Sequence, residues 1–205
     1  MSGYSDVQAV TITADTVALD ADGISVAASV GNNAALTIGG ALASGGAVAL
    51  SHGRIVTILS AGNDAAKSFT VTGTDVNGDA QTESITGANA GTATGTKFFK
   101  TISGISAVGN PAGNVSAGVN ASAADAIFAG RSRLKGVYLT STATAGTTDF
   151  LTTSPSGTSI MGLSSVGDAD ATRDVVIPEA GVVFSDGIYI EYTVSTFLTM
   201  TVFHA

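Results

Sequence analysis

A chain of 205 residues, 44% apolar and only 12% charged, is long enough to bury one large β-domain or two of about 100 residues, and two is the reading favoured here. Eight Lys and Arg against sixteen Asp and Glu leave a net charge of -8, which argues against general nucleic-acid or anionic-membrane binding because phosphates repel such a surface. The absence of cysteine excludes disulfides and thiolate metal sites, and 26 glycines among abundant Thr, Ser and Asn fit short strands joined by tight turns.

Met1-Ser2-Gly3-Tyr4-Ser5-Asp6 has neither a basic start nor an apolar core, so no secretory signal is expected. Val10-Thr11-Ile12-Thr13 and Thr16-Val17-Ala18-Leu19 alternate weakly and read as short strands, with Asp20-Ala21-Asp22-Gly23 as a turn before Ile24-Ser25-Val26. From Ala34 to Leu50 nearly every residue is Ala, Gly or Ser, anchored by Leu36, Ile38, Leu42, Val48 and Leu50. Little area is buried there per residue ordered. Residues 1–50 therefore read either as an arm laid over a neighbouring subunit or as small-residue strands on the chain's own core. The uncharged run Gly23 to Gly53 lacks the continuous Leu, Ile and Val of a membrane helix, so no membrane span is expected.

Residues 51–118 read as a β-meander domain. Arg54 to Ser60 is apolar on both alternating sets of positions, the pattern of a strand covered on both faces, whereas Ser68 to Thr72 alternates apolar residues with threonine and packs on one face. Its partner strand is Gln81 to Thr86. A two-residue Asn-Gly turn sets Val71 opposite Ser84; a three-residue loop ending with Gly78 in the left-handed region sets Phe69 opposite Ile85 and keeps the apolar face intact, so the three-residue loop is expected. Gly87 to Gly95 reads as a loop. Lys97 to Ile102 returns as a strand in which adjacent Phe98 and Phe99 point opposite ways, one into the core and the other needing cover from the N-terminal segment or another subunit. Both are candidate partner-binding residues. Ser103-Gly104 permits a bend before Ile105 to Val108.

Gly109-Asn110-Pro111-Ala112-Gly113-Asn114 reads as the domain boundary, which is placed between Gly109 and Ser122 with the second domain counted from residue 119. Ser122-Ala123-Ala124-Asp125 has the spacing of a helix start, with Gly130 as a stop, while Ala126 to Ala129 reads equally as an edge strand. Residues 119–205 form the second domain. Its strands include Arg133 to Thr140, then Val175-Val176-Ile177 ending at Pro178, then Val182 to Phe184 and Ile188 to Tyr192 around an Asp186-Gly187 hairpin signal, then Leu198 to Phe203. The fold expected is all-β: two small β-sandwich or jelly-roll-like domains with a Gly/Ala-rich N-terminal segment.

Candidate chemistry is sparse. His52 and His204 lie in different expected domains with no second ligand nearby, so no metal site is expected. Asp75-Val76-Asn77-Gly78-Asp79 resembles a calcium loop until Ala80 and Thr86 take the places of its Gly and Glu. The pair Asp20 and Asp22, and Asp168 and Asp170 near Asp174, could bind calcium weakly, but solvated loops are the reading expected. There is no Gly-x-Ser-x-Gly elbow, and Gly39-Gly40 and Gly45-Gly46 lack the neighbours of a phosphate loop, so neither an enzyme nor a bound cofactor is expected. Arg131, Arg133 and Lys135, at spacing two, would project from one face of a strand; they form either a docking patch for an acidic partner or a charged edge that resists aggregation.

The run Phe69 to Gly87, with Thr74-Asp75-Val76-Asn77-Gly78-Asp79 at its centre, followed by Gly95-Thr96-Lys97-Phe98-Phe99-Lys100-Thr101-Ile102, resembles virion structural proteins of tailed bacteriophages, including marine and cyanobacterial ones. Val183 to Ile190 and the closing Thr201-Val202-Phe203 share that style. Within the class, small cysteine-free all-β proteins resemble capsid decoration or cement proteins, which sit as trimers on the outer shell and brace it against packaged DNA. The resemblance implies a non-enzymatic homotrimer, assembled in the host cytoplasm and carried on the virion, with the major capsid protein as its partner and neither nucleic acid nor membrane involved. A tail-fibre or receptor-binding module is the alternative, although four Tyr and no Trp offer few rings for stacking sugars. A surface-layer or adhesin repeat would need an export route.

Overall fold

The computed structural model describes residues 6–120, 124–153, 157–193 and 195–205. The protein is all-β, its sheets antiparallel, and it divides into two units: Ala18–Ser122, and a discontinuous one made of Met1–Val17 with Ala123–Ala205. The chain begins in the discontinuous unit with β1 (Gln8–Thr13) and the single-turn helix α1 (Ala14–Val17). Thr16, expected in a strand, caps that turn instead: its Oγ1 accepts the Thr13 amide at 2.9 Å while its own amide donates to Thr13 Oγ1 at 3.3 Å.

The Ala18–Ser122 unit holds β2 (Asp20–Ser29), β3 (Ala43–Ser44), β4 (Ala47–Asn63), β5 (Ser68–Thr74), β6 (Ala80–Thr86), β7 (Asn89–Val108) and β8 (Asn114–Val119). β4 lies between β7 and β8. Its Arg54, Val56, Ile58 and Ser60 face is buried throughout, whereas on the other face Thr57 is buried, Ile55 half-buried and Leu59 37% exposed, so the cover expected on both faces is complete on one only. β7 is shared lengthwise by two neighbours: it pairs with β4 from Asn89 to Ile102 and with β5 from Thr101 to Val108. Residues 89–94, expected with Gly95 in a loop, belong to that ladder because main-chain bonds do not need large side chains. Likewise Asp20 to Gly23, expected as a turn, runs inside β2, where pairing with β8 jumps from Asp20 to Ser25. β2 passes very close to β8 there. A Cβ on Gly118 would stand 1.8 Å from the Asp20 carbonyl oxygen.

The β5–β6 hairpin has the expected register, Phe69 opposite Ile85, around Val76-Asn77-Gly78 with Gly78 at φ 90°. Asp75 Oδ1 accepts the Asn77 and Asp79 amides at 2.8 and 3.0 Å, so this carboxylate closes the turn's own backbone. The segment before β4 is part of this unit's core, as small-residue strands and loops on its own chain. Leu36 and Val48 are buried with Phe69, Phe99 and Ile102, and the Leu36 amide donates to the Ile105 carbonyl at 2.9 Å.

The Gly109 to Asn114 stretch is a connection within this unit, and the two units part at the far end of the expected window, after Ser122. Asp64, itself buried, holds that connection by accepting the Ala112 amide at 2.7 Å.

The discontinuous unit continues with β9 (Ala124–Ala129), β10 (Ser132–Ser141), β11 (Ala145–Leu151), β12 (Ser159–Val166), β13 (Thr172–Val176), β14 (Val182–Phe184), β15 (Gly187–Tyr192) and β16 (Phe197–His204). Its strands run β1-β16-β10-β13 in one sheet, with β14 also on β10, and β12-β11-β15-β9 in the other. Ile12, Leu134, Phe150, Phe184, Ile190 and Met200 pack as one core. β9 settles the helix-or-strand alternative as a strand with its first four residues buried; Ser122 and Ala123 of the helix reading lie outside the described residues. Ser185-Asp186 carries the chain from one sheet to the other, so β14 and β15 are no hairpin despite the Asp-Gly signal. β16, set between β1 and β10, is built into the sheet as its apolar alternation requires.

Among the described residues the tyrosines, Tyr138, Tyr189 and Tyr192, all belong to the discontinuous unit, and there is no tryptophan in the chain, so a tyrosine fluorescence transition reports on that unit. Ile12→Ala should destabilise the tyrosine-reported transition in urea by about 2–5 kcal/mol, as loss of a fully buried aliphatic chain does. Gly78→Ala should cost about 1–2 kcal/mol through its left-handed φ, and should leave the tyrosine signal unmoved while far-UV circular dichroism shifts.

Candidate functional site

The cationic stretch sits at one edge of β10. Arg133 and Lys135 flank buried Leu134 and point away from the core, while Arg131 is exposed in the bend before the strand. The two strand cations are engaged within the chain: Arg133 Nη1 donates to the Ala180 carbonyl at 3.3 Å and Lys135 Nζ to the Glu179 carbonyl at 2.7 Å. The register explains why. β13 and β14 pair in succession with the same edge of β10, Val176 opposite Gly136 and Val182 opposite Leu134, and residues 177–181 loop out between them. Glu179 and Gly181 take φ 55° and 78°, and a Cβ on Gly181 would stand 2.4 Å from the Leu134 carbonyl oxygen. Carbonyls that leave a ladder need other donors, and a charged donor supplies a stronger bond than a neutral one.

Beside the cations, the outer face of the sheet carries ordered rows that the sequence reading missed. Thr13, Thr199, Thr140 and Thr172 stand in register across four strands, and Thr11, Thr201, Tyr138 and Asp174 form the next row. Thr11 Oγ1 lies 3.0 Å from Thr201 Oγ1. Tyr138 is 39% exposed and Val176 75% exposed. Thr-x-Thr at residues 11–13 and again at 199–201 is the available signal, but nothing local says that the two segments pair.

Phe98 and Phe99 do not join this face. They belong to the Ala18–Ser122 unit and are 9% and 0% exposed, so their expected role as contact residues for a partner is replaced by burial within the single chain. The histidines are also packed: His52 Nδ1 lies 2.9 Å from Ser51 Oγ, and the His204 ring lies 5.1 Å from that of Phe128. In the discontinuous unit, buried Asp125 accepts the Tyr192 hydroxyl at 2.7 Å. Asp168 and Asp170 lie in the connection before β13, and Asp174 on it. Among the described residues no three His, Cys, Asp or Glu side chains gather as a metal site would need, and no helix is long and apolar enough to cross a membrane. A pocket of about 160 Å³ lined by Ala27, Leu59, Ser60, Ala61, Asn114 and Ser116 is smaller than the ~300 Å³ at which ligand pockets begin.

Comparison with known protein families, curated proteins and solved structures finds no match to this chain. The site therefore stands on its own geometry. It offers an exposed guanidinium, one accessible ring, a valine and rows of hydroxyls on a rigid sheet, and these groups suit contact with a surface.

The two engaged cations should act on the turn more than on global stability. Arg133→Ala with Lys135→Ala should cost at most about 1 kcal/mol, since both are partly exposed, and should speed amide exchange at Gly181, whose amide donates to the Pro178 carbonyl at 3.2 Å.

Proposed function

We propose that the protein is a non-enzymatic structural component of a tailed-phage virion, a decoration or cement protein that binds the outside of the assembled head through the major capsid protein. The observation that carries the proposal is the exposed face of β10 and its neighbours, with Arg131, Tyr138, Val176 and ordered threonines presented on a sheet. The resemblance of residues 69–87 and 95–102 to virion proteins supports it, and those residues make the β5–β6 hairpin and part of β7. The proposal includes self-association as a trimer and assembly in the host cytoplasm, with no part for nucleic acid or membrane.

Docking through this face would depend on Arg131 more than on Arg133 and Lys135, which already bond to Glu179 and Ala180. Arg131→Ala should weaken capsid pull-down at low salt, and the difference should shrink as salt shortens the screening length below about 10 Å. Removing residues 18–51 is no test of docking, because it strips Ile24, Leu36 and Val48 from the core. Tyr138 across from Asp174 and Thr201, a ring beside a carboxylate and a hydroxyl, favours the receptor-binding alternative. Protein that binds host cells and ignores capsids would establish that alternative and overturn the decoration reading.

A further inference from the structure

We infer that the free edge of β12 is a pairing site for a second copy of this chain. Among the described residues β12 pairs with β11 alone, so its other side presents a row of backbone donors and acceptors, and the complement of such a row is another strand. The strand is Ser159-Ile160-Met161-Gly162-Leu163-Ser164-Ser165-Val166, eight residues without a charge or a proline. The other strands with a single partner or a free side differ. β13 carries Arg173 and Asp174 and runs into Pro178; β6 carries Glu83; β1 is shorter and polar at Gln8, Thr11 and Thr13; β2 carries Asp20 and Asp22 and already accepts the Gly39, Gly40 and Leu42 amides; β3 and β14 are two and three residues long.

The layer also stops short at β12. Met161 and Leu163 face inward opposite Phe150 and Thr148, which are 0% and 3% exposed, yet both remain half-buried because no strand lies beyond them. Ile160 is 42% exposed and Val166 is 62% exposed. One more strand would cover the inward pair, and β12 itself has the right composition. An antiparallel two-fold centred on Gly162 sets Met161 of each copy opposite Leu163 of the other and continues both core faces in one layer. The strand that meets is itself uncharged; the carboxylate beside it is Asp149 on β11, opposite Gly162, which accepts the Ser159 hydroxyl at 2.9 Å. The inference is independent of the proposed function; in a trimer, this edge would join one trimer to the next.

The chain has no cysteine, so a single introduced thiol reports one contact without ambiguity. Facing Cα atoms in an antiparallel pair lie about 4.5–5.5 Å apart, inside the range that a disulfide spans. At Gly162 an added Cβ would meet only the flexible Asp149 carboxylate, at 2.9 Å. Gly162→Cys should give a disulfide-linked dimer under mild oxidation, seen on a non-reducing gel, and Thr72→Cys on the other unit should not. Adding Ile160→Lys with Ser164→Lys sets introduced lysines opposite one another across the two-fold and should abolish the cross-link with an unchanged thermal melt. Mixing that variant with one carrying Ile160→Glu and Ser164→Glu should restore it between unlike chains. A Gly162→Cys protein that cross-links no better than the Thr72→Cys control, or a cross-link that survives the paired lysines, overturns the inference.

Discussion

Every main-chain amide and carbonyl that leaves a ladder has to be bonded somewhere else, and this requirement governs how the few charged residues are used. β7 slips against β4 between the Phe98 and Thr94 pairings, which takes residues 95–97 off the ladder. Glu83 on β6 accepts the amides of Thr96 and Lys97, Lys97 Nζ donates to the Thr82 carbonyl at 2.8 Å, and the Gln81 side-chain amide donates to the Phe98 carbonyl. Asp64 takes the Ala112 amide, Asp75 closes its own turn, and Arg54 reaches the Asn120 carbonyl from inside the unit. Arg133 and Lys135 do the same for residues 179 and 180. An all-β chain of low charge can stay irregular in this way because its ions are placed where ladders fail.

That use of charge marks where a sequence stops being legible. The β5–β6 register was readable because the turn residues and the alternating faces are local, and only the loop with Gly78 in the left-handed region keeps Phe69 opposite Ile85. Ser185-Asp186-Gly187 carries an equally local signal, but the strands it joins face the core from opposite sheets. Residues 89–94 have no apolar pattern at all and are still a strand, since β4 supplies the hydrogen bonds. The position of Arg133 and Lys135 on β10 follows from their spacing, while the carbonyls that occupy them come from a loop more than forty residues away, at separations of 47 and 44.

The burial of Phe98 beside Phe99 shows a related limit. Adjacent aromatic residues on a strand do imply two covered faces, but a sequence does not say whether the second cover comes from another molecule. Tyr138 was invisible for the converse reason. Strict alternation from Arg133 and Lys135 sets Tyr138 on the face opposite the cations, but the discontinuity between Leu134 opposite His204 and Gly136 opposite Phe203 changes which positions of β10 face inward.

The pairing of β1 with β16, from Gln8 opposite His204 to Thr13 opposite Thr199, has a consequence for synthesis on the ribosome. At about 5–20 residues per second, β1 leaves the exit tunnel tens of seconds before its partner is made, while everything needed for the Ala18–Ser122 unit emerges in between. That unit can be complete before β1 has any strand to hold. During the wait β1 is an unsatisfied strand tethered to a folded neighbour, and its polar Gln8, Thr11 and Thr13 limit how strongly it can stick to other nascent chains.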